Sequence, residues 1–323
     1  MLYGQVPGIE KPVSRLVQGT VPISTKSLDS SFALLDAVME QGCTTFDTAH
    51  VYGSGDNERA FGKWLKDRDV REKVVVLSKG AHHNQDRKRV TPYDIASDLH
   101  DSLARMQLDY VDLYVLHRDD PDVPAGPIVE ALNHWKKEGL IRAFGGSNWS
   151  TSRLKEANEY ALEHGLTPFA VSSPNFSLAD QLKEPWAGCV TISGQANQAS
   201  RDWYEKSLMP LFTWSSLAGG FFSGRIHRDN TDSFDDYFMK LAVECYASPD
   251  NFERMDRALL LGKEKGLTLP QVALAWVMSQ PLNIFALVGC ATGEEFAYNA
   301  RALEVKLTPQ ECAWLDLRTD NPA

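Results

Sequence analysis

Short apolar runs rich in β-branched residues alternate along the chain with longer segments in which apolar residues recur at helical spacing. The runs short enough to be buried strands are 15–18, 44–46, 74–77, 111–116, 141–144, 169–172, 211–214 and 284–288. The segments with helical periodicity are 30–40, 57–66, 95–106, 128–138, 152–163, 252–265 and 294–303. Thr91-Pro92 predicts a helix start, and Gly139 and Gly165 predict helix ends. This alternation is typical of a parallel sheet covered by helices on both faces.

The number of strand–helix units favours one architecture. Eight units within 323 residues predict a single (β/α)8 TIM barrel domain spanning residues 1–323. An open doubly wound sheet stays an alternative, although no GxGxxG motif follows the first strand. Beyond the minimal barrel we expect an N-terminal extension, a long polar loop at 225–251 after the seventh strand, and extra C-terminal helices at 268–280 and 308–317. A loop that long is usually functional or disordered.

Composition and charge narrow the class of function. Hydrophobic residues make up 43% of the chain, which is enough for a large core, and the net charge of −10 argues against binding to nucleic acid or to an anionic membrane surface. No apolar stretch is long enough for a membrane span, and the first residues lack the apolar segment of a signal peptide. The five cysteines are widely spaced, so we expect neither a disulfide framework nor a metal site. These features predict a cytoplasmic protein whose partner is a small molecule, and they leave open a homo-oligomer.

Polar side chains follow several of the predicted strands. In a parallel barrel the active site lies where the strands end at their carboxyl termini. The residues at these ends are Asp47, His50 and Tyr52 after the second strand, Lys79 after the third, His117 and Arg118 after the fourth, and Ser147 and Asn148 after the fifth.

Four of these side chains suit carbonyl reduction. Lys79 and Asp47 should pair, because an unpaired charge in a barrel mouth is expensive to bury. An ammonium beside Tyr52 favours its phenolate, so we expect the pKa of Tyr52 to fall from about 10 toward neutrality. Tyr52 can then protonate a carbonyl oxygen as a hydride reaches the carbon, while a neutral His117 donates a hydrogen bond to the same oxygen.

The same segments resemble a known family. FDTAHVYGSGDNERAFGKWL, VVVLSKG, DYVDLYVLHRDD and IRAFGGSN, in this order and spacing, are similar to the aldo-keto reductase superfamily. The resemblance extends over most of the chain, from Gly19-Thr20 to the segment VGCATGEEFAYNARAL. It implies an eightfold barrel, a nicotinamide cofactor, and a catalytic group formed by Asp47, Tyr52, Lys79 and His117.

The resemblance also implies a cofactor groove. Ser147 and Asn148 match the pair that holds the nicotinamide carboxamide, and Trp214 stands where the family usually has a tyrosine that stacks under nicotinamide. Ser173 stands where the family usually has a glutamine. The remaining groove positions implied are Gly19, Thr20 and Asp47, then Ser215, Leu217 and Gly219 along the pyrophosphate, and Gly289, Thr292, Glu295 and Asn299 toward the adenosine end.

The adenosine end departs from the family pattern. Gly289 and Glu295 replace the lysine and arginine that often hold the 2′-phosphate of NADP. A glutamate repels a phosphate and can accept a hydrogen bond from a ribose hydroxyl. The amides at the start of the helix at 294–303, with Thr292, can hold a phosphate, and Arg225 and Arg301 are spare cations. On the habit of the family we expect NADP(H), slightly favoured over NAD(H).

The expected substrate is a small carbonyl compound. The pocket residues we expect are His50, His82, Arg118 and Trp149, and their polarity favours an oxo-sugar or a sugar aldehyde, as in carbohydrate metabolism. One alternative is a non-catalytic barrel that keeps the cofactor, like the channel-associated regulatory subunits of the family. A second is a metal-dependent lyase or isomerase using His117 with Asp47 and Asp119, which a competing lysine at the mouth disfavours.

Overall fold

The eight predicted strands pair in parallel and close into a barrel in this computed structural model, which describes residues 1–322. The barrel strands run in chain order: β3 (Leu16–Gly19), β4 (Thr45–Asp47), β5 (Val75–Gly80), β6 (Val111–Leu116), β7 (Ile141–Ser147), β8 (Val171–Ser173), β9 (Leu211–Thr213) and β10 (Ile284–Val288). The barrel closes where Ala286 of β10 pairs with Leu16 of β3. This confirms the predicted (β/α)8 barrel.

The N-terminal extension forms a hairpin. Strands β1 (Tyr3–Val6) and β2 (Ile9–Ser14) pair antiparallel, and Gly8 adopts a positive φ of 85° in the turn between them. Val6 and Val13 are buried in one apolar cluster with residues of the barrel interior, among them Phe212 and Phe285, whose rings stack at 4.8 Å. The hairpin therefore covers the end of the barrel at which the strands begin, and leaves the opposite end for chemistry.

Helices surround the barrel. They are α1 (Leu28–Glu40), α2 (Asp56–Asp67), α3 (Pro92–Met106), α4 (Ala125–Lys137), α5 (Thr151–Glu163), α6 (Gln198–Ser207), α7 (Tyr237–Tyr246), α8 (Pro249–Lys265), α9 (Leu269–Met278), α10 (Gly293–Ala300) and α11 (Pro309–Leu315). The predicted start of α3 is confirmed, because the Thr91 side chain accepts from the Asp94 amide and Pro92 lies in the first turn. Within residues 1–322, no helix combines the length and the apolar character needed to cross a bilayer.

Two helices were not predicted from the sequence. Helix α6 buries only Tyr204, so its sequence offers few apolar residues from which a helix could be predicted. The segment 225–251, predicted as a loop, contains α7 and the start of α8. The Asp236 side chain caps α7 by accepting from the Met239 amide, and its buried face is partly masked in the sequence by the exposed aromatics Tyr237 and Phe238.

Helix α2 follows the segment that carries Tyr52, and two contacts fix its position. The Asn57 side chain donates to the carbonyls of Thr20, Val21 and Ile23, which follow β3. At Gly62 the helix approaches α3 so closely that an added Cβ would lie 2.3 Å from the Met106 carbonyl oxygen. A glycine is required here because the neighbouring atoms belong to backbone and have little freedom to move.

We therefore expect Gly62→Ala to lower the free energy of unfolding by about 1–3 kcal/mol, the usual penalty for overpacking, despite the better helix propensity of alanine. Gly126→Ala in α4 is the matched control, since a Cβ there meets the Tyr160 ring, a side chain that can shift. Urea denaturation of both variants measures the difference. A Gly62→Ala protein as stable as Gly126→Ala would contradict the close α2–α3 contact.

Candidate active site

The four residues predicted to be catalytic meet at the carboxyl ends of the barrel strands. Asp47 ends β4, Lys79 lies in β5, His117 follows β6, and Tyr52 begins a short helical turn, Tyr52–Gly55, ahead of α2. The Lys79 ammonium donates to the Asp47 carboxylate and, at 3.3 Å, to the Tyr52 hydroxyl. The rings of Tyr52 and His117 meet edge to face with centroids 5.7 Å apart. The structure thus brings all four side chains together.

Lys79 is held protonated. Both Lys79 and Asp47 are 3% exposed, so water does little to screen their charges. Burial alone would lower the pKa of Lys79, but the Asp47 carboxylate and the Tyr52 hydroxyl outweigh burial and raise that pKa above its ordinary value. A cation is therefore present beside Tyr52 across the whole neutral range.

The expected depression of the Tyr52 pKa is wrong in this structure. Burial raises the pKa of Tyr52, and the nearby Lys79 ammonium offsets only part of that effect, while the Asp47 carboxylate adds to it. The Lys79 ammonium alone would lower this pKa. The loss of water around Tyr52 and the Asp47 carboxylate together reverse the direction. Tyr52 is accordingly a protonated hydroxyl at neutral pH.

His117 is neutral, as expected. Burial, assisted by Lys79 and Arg118, lowers the pKa of His117 well below its ordinary value. Its Nδ1 is buried and has no hydrogen-bond partner among the described residues, and its carbonyl accepts from Asn148 Nδ2 at 3.1 Å. A neutral imidazole always keeps one N–H to donate, which suits it to polarise a carbonyl oxygen.

The residues implied for the nicotinamide end form a connected group at the ends of β7, β8 and β9. Ser147 pairs with Ser173 in the sheet, and its hydroxyl donates to the Ser173 carbonyl at 2.8 Å. The Asn148 amide also donates to the Ser147 hydroxyl, at 3.1 Å. Ser173 Oγ and Trp214 Nε1 are buried without a hydrogen-bond partner in residues 1–322. The orphaned Ser173 hydroxyl fits a bound carboxamide, because buried polar groups are otherwise satisfied.

The next part of the groove is built from tight backbone turns. Ser215 and Gly219 adopt positive φ values of 51° and 63°, and Leu217 precedes the short helix Ala218–Ser223. Across the mouth, the Thr20 amide donates to the Asp47 carbonyl at 2.8 Å, while Thr20 Oγ1 is a further buried hydroxyl with no partner among the residues described. Gly19 ends β3 directly before it. Turns of this kind expose backbone amides, which suit phosphate oxygens.

The residues implied for the adenosine end are largely satisfied by the protein itself. Thr292 caps α10 by accepting from the Glu295 amide at 3.1 Å, and the Glu295 carboxylate accepts from the Ala291 amide at 2.7 Å. Asn299 is buried and donates to Cys290 Sγ. A Cβ atom added at Gly289 would meet nothing within 4 Å, so the space beside this residue is open. Arg225 is exposed and forms no ion pair among the described residues. Thr292 therefore already uses the Glu295 amide, one of those expected to be free for a phosphate.

Two of the four predicted pocket residues lie at the mouth. The His82 ring is 4.9 Å from that of His117, and burial lowers the pKa of His82 to about 4. Arg118 directly follows His117 and is 6% exposed.

The other two pocket residues are engaged elsewhere, which differs from the prediction. His50 Nε2 lies 3.2 Å from Asp101 of α3, so its ring is turned toward that helix. Trp149 is fully buried, donates to the Arg118 carbonyl at 3.2 Å and packs against Phe169. It supports the mouth from behind.

Two aromatic residues that sequence reasoning did not assign to the site lie beside it. The Trp186 ring is 6.5 Å from that of Trp214, and Trp186 Nε1 donates to the Tyr237 hydroxyl at 3.0 Å. Both side chains remain exposed, so they can cover a molecule bound near Trp214. This contact joins residues 51 positions apart, and no local pattern in the sequence could have revealed it.

Comparison with known proteins agrees with this geometry. A profile of the Aldo/keto reductase family matches residues 15–317. An uncharacterized oxidoreductase of Bacillus subtilis (strain 168) is 26% identical over 308 residues, covering 91% of this chain and 89% of that protein. A probable voltage-gated potassium channel subunit beta of Oryza sativa subsp. japonica is 30% identical over 322 residues, covering 92% and 90%.

The solved structure of a glycerol dehydrogenase from Gluconobacter oxydans superposes with a TM-score of 0.78 at 23% identity, covering 97% of this chain and 93% of that one. At that identity the likeness establishes the fold alone. The family profile spans all eight barrel strands and every residue of the Asp47, Tyr52, Lys79 and His117 cluster. The chain belongs to the aldo/keto reductase family.

Proposed function

We propose that the protein catalyses the NAD(P)H-dependent reduction of an aldehyde or ketone to an alcohol. The observation that carries this proposal is the Lys79 ammonium held between the Asp47 carboxylate and the Tyr52 hydroxyl, with the His117 ring against Tyr52. A nicotinamide bound at the mouth would supply the hydride. Ser147, Asn148 and the unpartnered Ser173 hydroxyl would hold its carboxamide, and the Trp214 ring would lie along one face.

Each of the four residues has a defined task in this proposal. Tyr52 delivers its hydroxyl proton to the substrate oxygen, and it is a weak enough acid to do so only as negative charge builds on that oxygen. Lys79 stabilises the phenolate that remains, and Asp47 keeps Lys79 in place. His117 donates a hydrogen bond to the same oxygen and stays uncharged, because burial disfavours its imidazolium form.

We further propose NADP(H) as the preferred cofactor, with its adenosine end lying against the segment from Gly289 to Glu295. Arg225 is exposed and forms no ion pair among the described residues, so its charge is available to a phosphate. The Glu295 carboxylate would repel the 2′-phosphate of NADP(H), so the preference over NAD(H) is small. For the substrate we propose a hydroxylated carbonyl such as an oxo-sugar or sugar aldehyde, since the polar groups of His82, His117 and Arg118 meet at the mouth.

A second candidate is a non-catalytic, cofactor-binding subunit. It is favoured by the rice relative that is named a probable potassium channel subunit. Against it, this chain keeps all four polar residues and the contacts that a proton transfer needs. Mixing the protein and reduced cofactor with a reactive aldehyde separates the two, because only an enzyme removes the near-ultraviolet absorbance of reduced nicotinamide.

Tyr52→Phe should lower the rate of that reaction by about 10²–10⁴-fold, the usual share of a positioned proton donor, while leaving cofactor binding unchanged. Tyr93→Phe is the matched control, since Tyr93 is 77% exposed on the surface of α3. Stopped-flow absorbance with glyceraldehyde and octanal measures both variants. Near-normal rates in Tyr52→Phe would remove Tyr52 from the mechanism, and faster wild-type turnover of octanal would exclude a hydroxylated substrate.

Lys79→Met should slow turnover and change its pH dependence. In alcohol oxidation the active form of Tyr52 is the phenolate, so the rate rises with pH as Tyr52 loses its proton. Removing the ammonium takes away the largest influence that lowers the Tyr52 pKa, so this rise should move to higher pH.

The double variant Asp47→Asn, Lys79→Met is the control for Lys79→Met. It avoids leaving a buried carboxylate unpaired, which would cost about 3–5 kcal/mol of stability. It also removes the anion that raises the Tyr52 pKa, so its shift should be smaller than in the single variant. An unchanged pH profile, or a shift to lower pH in Lys79→Met, would contradict the role given to this lysine.

Glu295→Gln should tighten NADP(H) binding by about two- to fivefold, the range of an exposed charge interaction, and leave NAD(H) binding nearly unchanged. Removing the charge ends its repulsion of the 2′-phosphate, and the amide oxygen can still accept from Ala291. Glu294→Gln, one position earlier in the same helix, controls for net charge. Dissociation constants from fluorescence titration test this, and NAD(H) bound tenfold more tightly than NADP(H) by the wild type would exclude the NADP(H) proposal.

A further inference from the structure

Arg118 is a buried cation at the active-site mouth whose charge nothing balances. Only 6% of its surface is exposed. Its guanidinium donates from Nε to the Ala187 carbonyl at 3.2 Å and from Nη1 to its neighbour His117's carbonyl at 2.9 Å. Within residues 1–322 it forms no ion pair, so both of its contacts are to uncharged oxygens.

Four carboxylates around the mouth do not provide the missing charge, because each is committed to another cation. The pairs are Asp47 with Lys79, Asp98 with Arg89, Asp119 with Arg153 at 3.2 Å, and Asp120 with Lys88 at 2.7 Å. A guanidinium buried without a counter-charge is unfavourable, and proteins ordinarily pair such a group. The exception at Arg118 therefore needs an explanation in terms of what the site binds.

The contacts made by Arg118 leave most of its hydrogen-bonding capacity free. A guanidinium has five N–H donors, and the two carbonyl contacts use one on Nε and one on Nη1. The remaining donors lie on Nη1 and Nη2, the edge that binds two oxygens of one carboxylate or phosphate.

Arg118 also lies close to the side chains that would contact the substrate. It is adjacent in sequence to His117, and its charge is close enough to act on Tyr52, His82 and His83. These two histidines are kept neutral, since their pKa values are lowered chiefly by burial, so they add donors without adding charge. Because the whole chain carries a net charge of −10, attraction of an anion to this mouth must come from a local cation.

We infer that Arg118 binds an anionic group of the substrate, so that the substrate class is a carbonyl compound carrying a carboxylate or a phosphate. This inference rests on the proposed carbonyl reduction and deepens it. The anionic group takes no part in bond making: a hydride adds to the carbonyl carbon, the Tyr52 proton goes to the carbonyl oxygen, and the anion stays on Arg118. An acidic oxo-sugar would satisfy both this requirement and the polar character of the mouth.

The test compares substrates that differ in one charge. One pair is 4-carboxybenzaldehyde and its methyl ester, and the other is glyceraldehyde 3-phosphate and glyceraldehyde. We expect kcat/KM of the wild type to be about ten- to a hundredfold higher for the charged member of at least one pair, as charge-assisted bidentate binding allows. The pair with the larger ratio identifies carboxylate or phosphate as the group recognised.

Arg118→Met should abolish that ratio, mainly by raising KM for the charged member, while the neutral member, which makes no charged contact with Arg118, should lose much less. Arg118→Lys keeps a point charge without the planar fork, so it should retain part of the preference. It also covers the case in which the methionine variant does not fold. Arg142→Met is the matched control: its exposed guanidinium stacks on Tyr110 where β7 begins, at the far end of the barrel.

Equal use of charged and neutral members by the wild type, or equal losses for both in the Arg118 variants, would overturn the inference and make Arg118 a brace for the loop at Ala187. Reduction of none of the four aldehydes would count against the proposed function instead. In that case binding decides the inference, through quenching of tryptophan fluorescence by 4-(hydroxymethyl)benzoate and by benzyl alcohol. The inference is supported if the wild type binds the benzoate more tightly than benzyl alcohol and the Arg118 variants lose this difference. Equal binding of the two compounds by the wild type overturns the inference.

Discussion

The buried ion pair between Lys79 and Asp47 is the interaction on which the rest of the site depends. Neither charge is screened by water, so loss of one partner would leave the other buried and unpaired. The register between β4 and β5 sets the pair. Asp47 is paired with Leu77, and Lys79 lies two residues further along β5, on the same face as Leu77. A slip of one residue would turn the lysine to the other face of the barrel wall. The strand pairing that builds the barrel therefore also places the Lys79–Asp47 ion pair.

The same burial that demands this pair sets the protonation of its neighbours. It raises the pKa of Tyr52 and lowers the pKa values of His117 and His82, so the mouth contains neutral hydrogen-bond donors. The charge that remains in excess is that of Arg118. A site with neutral donors and one extra cation is suited to stabilising negative charge on a substrate oxygen and to holding an anionic group nearby.

The two ends of the proposed cofactor groove differ in how many of their polar groups have hydrogen-bond partners within the protein. At the nicotinamide end, Ser173 Oγ and Trp214 Nε1 are buried without partners among the described residues. At the adenosine end, Glu295 accepts from the Ala291 amide and Asn299 donates to Cys290. Polar groups left unsatisfied in a folded protein indicate what binds there, whereas satisfied ones have to exchange partners. A ligand at the nicotinamide end can therefore use Ser173 Oγ directly, whereas one at the adenosine end has to displace hydrogen bonds that Glu295 and Asn299 already make.

The sequence by itself determined the barrel and the four catalytic candidates, because strand and helix periodicity are local and because polar residues directly after apolar strands mark the mouth. Tertiary structure decided what depends on contacts between distant segments. It turned His50 toward Asp101, buried Trp149 behind the mouth, and joined Trp186 to Tyr237. It also reversed the expected shift of the Tyr52 pKa, since that shift is a balance between burial and charge that only the folded arrangement defines.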